Sequence, residues 1–304
     1  MSVSSSHTEV QPVELAAGPV DYEHLVVPLD GSIDSERGLA IADRFALLFD
    51  ASVVAVSVCD SEVGREQMEE YYERLVARTG RTSIRWELPI ENDEPGPRIV
   101  ETAQLFTDPL ICMASHGRGR LATSVLGSVA RSVLIASERP TIVVGRDCVL
   151  EETPAPSRII ACVDGSPSTA TVLRTAAAWA KRLRTGLVIL TVAEPGPPGV
   201  RDEHHYRRAY GPDVDATAYV NDLASVVRSA TGIATEARAV YHPIHAAAGV
   251  REFAEAGPTT LIVVATHSRV GLNEIVLGSQ AARIVHDAPV PVLVTPIEHT
   301  SPEV

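Results

Sequence analysis

The chain has 304 residues, a length that predicts about two domains of ordinary size. Apolar residues make up 45% and charged residues 21%, which excludes wholesale disorder and collagen-like architectures. Acidic residues outnumber basic ones by 39 to 26, and this balance argues against nucleic acid as a partner. The apolar runs are too short to cross a membrane, and the first residues lack the order of a secretory signal. We therefore expect a cytoplasmic protein without a membrane partner.

Cysteine and lysine usage excludes several kinds of site. Cys59, Cys112, Cys148 and Cys162 lie far apart, so neither a zinc-binding spacing nor a disulfide framework is present. Lys181 is the only lysine, which leaves none for the phosphate-binding position of a P-loop. We expect no metal site.

The first half of the chain alternates apolar runs with helical patterns. An apolar run of strand length ends in Asp30-Gly31-Ser32, and residues 39–49 then carry apolar side chains at helical spacing. Further apolar runs follow at residues 53–58, 110–115 and 141–144. Strands that are apolar throughout and separated by helices favour an α/β fold with a parallel sheet covered on both faces.

The second half repeats this order. A second apolar run ends in Asp164-Gly165-Ser166, 134 residues after the first (164 − 30). Later, Ala-Ser-His116-Gly117 is matched by Ala-Thr-His267-Ser268, at an offset of 151 (267 − 116). Both copies then contain Leu-Gly-Ser and close with proline and an apolar run. Two tandem copies of one domain are therefore predicted.

The repeat sets the predicted domain boundaries. Residues 22–146 form the first domain and residues 158–296 the second, with a linker at 147–157 that contains two prolines. The flanking segments 1–21 and 297–304 show no periodic pattern and are predicted to be tails. The difference between the two offsets, 17 residues (151 − 134), is predicted to fall around residues 196–215 of the second copy.

The recurring residues point to a nucleotide. Asp30 and Asp164 each end a first strand, and the loops holding His116 and His267 each follow a fourth strand. If those strands are neighbours, both loops face one crevice, where backbone N–H groups and a helix N-terminus bind phosphate and an aspartate suits a ribose hydroxyl. Asp-Gly-Ser is also common in turns and at helix N-caps without any ligand. Either histidine could contact a phosphate, and a hydrogen bond that braces the loop is the alternative.

Both halves resemble the universal stress protein domain, whose nucleotide-binding signature is Gly, two residues, Gly, nine residues, then Gly followed by Ser or Thr. This chain has Ala114, Gly117 and Gly127 at those positions in the first copy, and Ala265, Ser268 and Gly278 in the second. The resemblance implies two doubly wound, Rossmann-like domains, each a five-stranded parallel sheet in the order 3-2-1-4-5. It also implies an internal pseudo-dimer, in which residues 140–144 pair with residues 291–294. Whether two chains form a homodimer is left open.

The resemblance carries specific residues onto this chain as ATP contacts. Those in the first copy are Pro28, Asp30, Val58, Gly117, Arg118, Gly127, Ser128 and Val129. Those in the second copy are Cys162, Asp164, Val192, Arg269, Gly278 and Ser279. No catalytic residue is predicted, and the implied cofactor is ATP, with or without Mg²⁺.

The departures from the signature bear on function. If the first signature position needs a positive φ, Ala114 and Ala265 cost about 1 kcal/mol each; if it needs close approach of phosphate, the methyl group obstructs it. We expect a stress-response sensor or regulator that binds an adenine nucleotide, hydrolyses it slowly if at all, and acts on an unidentified protein partner. The alternatives are a nucleotide-free interaction scaffold of the same fold, favoured by Ala114, Ala265 and Ser268, and an adenylyl-transferring enzyme.

Overall fold

A computed structural model describes residues 15, 20–81, 84–91, 94–117, 125–150, 157–193, 215–268, 275–276 and 278–297. The predicted site residues Arg118 and Arg269, most of the predicted linker and the predicted 17-residue insertion lie outside these ranges. By its internal contacts the chain divides into two compact units. One comprises Asp21–Pro154 with Thr266–Val304, and the other Met1–Val20 with Ala155–Ala265.

Strands and helices alternate along both repeats, as the apolar patterns predict. The strands are β1 His24–Pro28, β2 Ser52–Val56, β3 Arg85–Glu87, β4 Pro109–Ala114, β5 Thr141–Val144, β6 Arg158–Cys162, β7 Gly186–Ala193, β8 Thr235–Tyr241, β9 Leu261–Ala265, β10 His267–Ser268, β11 Ile275–Val276 and β12 Val292–Thr295. The helices are α1 Glu36–Phe49, α2 Glu62–Thr79, α3 Pro95–Ala103, α4 Ser128–Ala136, α5 Thr169–Leu183, α6 Ala216–Thr231, α7 Ala246–Glu255 and α8 Ser279–Asp287.

The unit built around the first repeat has a parallel sheet in the order β3-β2-β1-β4-β5. Leu25 of β1 stands opposite Val53 of β2 on one side and Leu110 of β4 on the other. Strand β12, from the end of the second repeat, adds to this sheet antiparallel to β5, with Leu293 opposite Ile142. This confirms both the predicted strand order and the predicted pairing of the two closing strands.

The unit built around the second repeat repeats the first four strands. Its parallel sheet has the order β8-β7-β6-β9, which is the same 3-2-1-4 arrangement. The fifth strand of this repeat, β12, lies in the other compact unit. The short strands β10 and β11 pair antiparallel with each other in the loop that follows β9.

The central strands of each sheet are buried beneath helices, α1 packing on β1 and β4 and α5 on β6 and β9. The apolar residues predicted to face the core at helical spacing, among them Leu39 and Phe45 on α1 and Leu173 and Ala176 on α5, are buried. Strand β4 is buried along its whole length, as expected for a central strand of a parallel sheet. Among the described residues, no helix is long and apolar enough to cross a membrane.

Candidate functional site

The first site begins where two neighbouring strands end. Strands β1 and β4 are adjacent and parallel, so the loops that follow them emerge at the same edge of the sheet. The first loop holds Asp30 and the second holds His116 and Gly117. Ligands bind at this edge in open α/β sheets because loops and helix N-termini meet there.

A tight turn holds the carboxylate of Asp30. The main-chain N–H and the hydroxyl of Ser32 both donate to Asp30 Oδ1, at 3.0 and 2.6 Å. Gly31 makes the turn possible with a φ of 81°, a conformation that side chains disfavour. The second repeat forms the same turn, since the Ser166 N–H donates to Asp164 Oδ1 at 3.0 Å and Gly165 has a φ of 76°. The turn interpretation therefore holds for one oxygen of each aspartate.

The other oxygen of Asp30 faces the second loop. A Cβ atom placed on Gly117 would collide with Asp30 Oδ2 and would lie 2.9 Å from the carboxylate carbon. Only glycine leaves room for the Asp30 carboxylate at this point. The two loops of the predicted site therefore depend on each other sterically.

Gly127 closes the second loop onto helix α4. Its N–H donates to the Ser115 carbonyl at 2.8 Å, and an added Cβ would lie 2.9 Å from that same oxygen. Helix α4 starts at Ser128 without a side-chain cap, and the N–H groups of a helix's first turn have no partner within the helix. These donors and the helix dipole suit an anion.

The strand ends and loops enclose a cleft of about 360 Å³, within the range of small-molecule sites. Seven of the eight residues predicted for the first copy line it; Arg118, the eighth, lies outside the described residues. The seven are Pro28, Asp30, Val58, Gly117, Gly127, Ser128 and Val129.

The apolar lining of the cleft was predicted only at Pro28, Val58 and Val129. Met68 of α2, Ile99 of α3 and Met113 of β4 line it together with Val56 and Val58. Helix α2 carries few apolar residues and has three buried side chains, of which Met68 is one. Since the two repeats match poorly between their second and fourth strands, repetition gave no signal for Met68 and Ile99.

Polar groups beneath the cleft are tied into the fold. Ser57, which lines the cleft, donates to the Leu29 carbonyl at 2.5 Å and shares a 2.8 Å hydrogen bond with the hydroxyl of buried Tyr72. Burial raises the pKa of Tyr72 above its ordinary value, although the bond to Ser57 opposes this. Burial, and next the Asp60 carboxylate, raises the pKa of the Cys59 thiol, so this cleft residue stays protonated near neutral pH.

The backbone at Ala114 decides between the two alternatives for the first signature position. In the described part of the chain, positive φ values occur outside glycine at Asp50, Asp108 and Arg184, and Ala114 and Ala265 do not share them. The alternative of backbone strain therefore does not apply to either alanine. Ala114 lines the cleft, so the alternative that remains is that its methyl group takes up room that a ligand would need.

His116 is part of the structure of the loop. Its side chain is 4% exposed, and its Nδ1 shares a 3.0 Å hydrogen bond with the Ser115 hydroxyl. This is the loop-bracing bond that the sequence left open. His116 also lines the cleft, at the same edge as Gly117.

The residues predicted for the second site are divided between the two compact units. Cys162, Asp164 and Val192 lie at strand ends of one unit, whereas Gly278 and Ser279, at the start of α8, belong to the other. Arg269 lies outside the described residues. Binding at these positions stays a prediction.

Comparison with known proteins identifies the family. The sequence profile of the universal stress protein family matches residues 21–145 and again residues 156–296. The chain belongs to the universal stress protein family. The two matches account for both repeats of this universal stress protein.

Individual relatives agree with this assignment. A universal stress protein of Mycobacterium tuberculosis is 25% identical over 303 residues, which cover 91% of this chain and 98% of the relative. One from Methanocaldococcus jannaschii is 29% identical over 139 residues, covering 40% of this chain and 82% of the relative. The crystal structure of a universal stress protein from Archaeoglobus fulgidus has the same fold, with a TM-score of 0.67, 20% identity, and coverage of 91% of this chain and 99% of that one.

Proposed function

We propose that this universal stress protein binds an adenine nucleotide, ATP foremost, in the cleft of the first repeat and acts as a nucleotide-dependent regulator of a stress response. The observation that supports this most is the common cleft of seven residues expected to touch ATP. Four free cysteines suit a reducing compartment, which supports a cytoplasmic location for this role.

The cleft offers a fitting environment for each part of the nucleotide. A flat base suits the apolar lining residues, among them Val58, Met68 and Ile99. The Asp30 carboxylate suits a hydrogen bond from a ribose hydroxyl, and the N-terminus of α4, which has no side-chain cap, suits the phosphates. Gly117 and Gly127 let the loop pack against the Asp30 carboxylate and the Ser115 carbonyl, which a side chain would prevent.

The lining residues suit binding better than turnover. The described part of the chain contributes two carboxylates to the cleft, Asp30 and Asp60, and Asp30 Oδ1 already accepts two hydrogen bonds from Ser32. Among the described residues, no group of three or more potential ligands is placed to hold a metal ion. His116 is buried against Ser115 and is poorly placed to activate water. We therefore propose a binding protein in which any ATP hydrolysis is slow and Mg²⁺, if it enters, comes with the nucleotide.

One observation favours a second candidate function, a nucleotide-free scaffold of the same fold. The methyl group of Ala114 lines the cleft at the position where the family signature has glycine. If that methyl group occupies the space of a phosphate, the cleft stays empty and the protein acts through its surfaces alone.

Titration calorimetry of the full chain with ATP separates the two candidates. We expect micromolar binding that is weakened at least tenfold by Asp30→Ala. The matched variant Asp164→Ala alters the same turn in the second repeat and is expected to leave this binding event in place. Absence of heat and of ATP-induced thermal stabilisation in the unaltered protein would overturn the proposal and favour the scaffold. Equal loss in both variants would show that the first cleft is not the site.

A further inference from the structure

The last helix of the second repeat, α8, packs against the first repeat. Gly145, directly after β5, is pressed so closely by the carbonyl groups of Val285 and His286 that an added Cβ would collide with the Val285 oxygen. The chain then continues into β12, which pairs with β5. Between α8 and β12, the Pro289 carbonyl accepts a hydrogen bond from the Val149 N–H at 2.9 Å. The C-terminal turn of α8 is thereby fixed beside the carboxyl ends of β4 and β5.

His286, in that turn, reaches the loop of the first cleft. Its ring stands edge-to-face against the ring of His116, with centroids 6.0 Å apart and an interplanar angle of 83°. His286 Nδ1 and Asp287 Oδ1 are 2.7 Å apart, a contact that orients the His286 ring. The hydroxyl of Ser115 shares a 3.0 Å hydrogen bond with His116 Nδ1.

His116 occupies a central place in the loop. It precedes Gly117, which borders the Asp30 carboxylate, and its Cα lies 3.5 Å from the point where a Cβ on Gly127 would stand. A displacement of His116 would therefore disturb the contact of Gly117 with Asp30 and that of Gly127 with Ser115. Ser115, His116 and both glycines line the cleft.

We propose that His286 is a positioning residue for the first cleft: the last helix of the second repeat holds His116, and thereby sets the affinity of the first repeat for nucleotide. This inference rests on the proposed function of the cleft. It makes nucleotide binding by the first repeat depend on a side chain 170 residues away in sequence (286 − 116).

The repeat supplies a matched control. His116 and its counterpart His267 are both histidine, but the counterpart of His286, 151 residues earlier, is Ile135 (286 − 151). Ile135 lies on α4 and its side chain is 40% exposed. The histidine partner is thus present at this position in one repeat only, and its effect is expected at the first cleft.

ATP affinity and the His116 ring signal together test the inference. In His286→Ala we expect ATP binding to weaken by about 3- to 10-fold, the range an aromatic contact supports, and His286→Phe, which keeps a ring, to restore it. Ile135→Ala is expected to bind like the unaltered protein. The imidazole resonances of His116 are expected to shift in His286→Ala even without nucleotide, which a general loss of stability would not produce.

Each contrary result is distinguishable. Unaltered affinity in His286→Ala, a Phe variant as weak as the Ala variant, or an equal loss in Ile135→Ala would overturn the positioning role while leaving the proposed function intact. If the unaltered protein binds no ATP, the proposed function fails instead. An unchanged His116 resonance in His286→Ala would then overturn the contact itself.

Discussion

Replacing Gly127 by alanine tests how the loop and α4 form the cleft. The backbone of Gly127, with φ −64° and ψ 151°, suits any residue, so the cost of the substitution is steric. The new Cβ would lie 2.9 Å from the Ser115 carbonyl oxygen, well inside ordinary contact distance. That oxygen cannot easily yield because it accepts the Gly127 N–H at 2.8 Å, while the Ser115 N–H donates to Val144 at 2.9 Å.

Overpacking of this kind costs about 2 kcal/mol, and for a unit of this size that lowers the melting temperature by about 4–8 °C. The displaced loop should also weaken ATP binding at least tenfold. Thermal unfolding and titration calorimetry measure the two effects. Gly186→Ala is the control, since its added Cβ would have only the Ala234 oxygen nearby, at 3.6 Å, and should leave both quantities unchanged. A Gly127→Ala protein with unaltered melting temperature and affinity would refute this account of the loop.

Three further substitutions test buried interactions in the unit built around the first repeat. Tyr72→Phe removes the hydroxyl bonded to Ser57 and should lower the free energy of unfolding by about 1–2 kcal/mol in urea titrations; no change would mean that the bond contributes nothing. Burial raises the pKa of Cys148 from 9.0 to about 11, so its stabilisation is complete below pH 9 and is lost as the pH rises toward 11. Cys148→Ala should flatten that part of the stability profile, and an unchanged slope would contradict it. The Arg37 guanidinium donates to three main-chain carbonyl groups at 2.5–3.1 Å, and Arg37→Ala should lower the free energy of unfolding by about 2–3 kcal/mol. The control Arg65→Ala removes only a surface ion pair and should lower it by about 0.5 kcal/mol or less.

The sequence predicted the fold because its strongest signals are local and occur twice. Apolar strand runs ending in Asp-Gly-Ser mark the first strand of each repeat, and the spacing from His116 to Gly127 marks the loop after the fourth. The order of strands came from family resemblance, and the structure confirms it. The pairing of β12 with β5 was predicted as well, but not that it would place β12 in the compact unit of the first repeat.

The cleft was predicted in part. Residues at strand ends and in glycine loops, such as Asp30 and Gly117, can be recognised in the sequence because few residue types fit there. Met68 and Ile99 could not be recognised, since the sequence pattern of a buried apolar residue on a helix is the same whether it faces a core or a ligand. His286 could not be recognised either, because its contact with His116 arises only when distant segments meet.

The most direct test of the central claim is photolabelling of the full chain with 8-azido-ATP, followed by peptide mapping. The proposal predicts labelling of peptides that carry apolar residues of the cleft, from β2 into α2 around Met68 or from α3 around Ile99. Excess ATP should suppress this labelling, and Gly127→Ala should reduce it. Labelling that ATP does not suppress, or labelling confined to peptides remote from the cleft, would contradict nucleotide binding at this site.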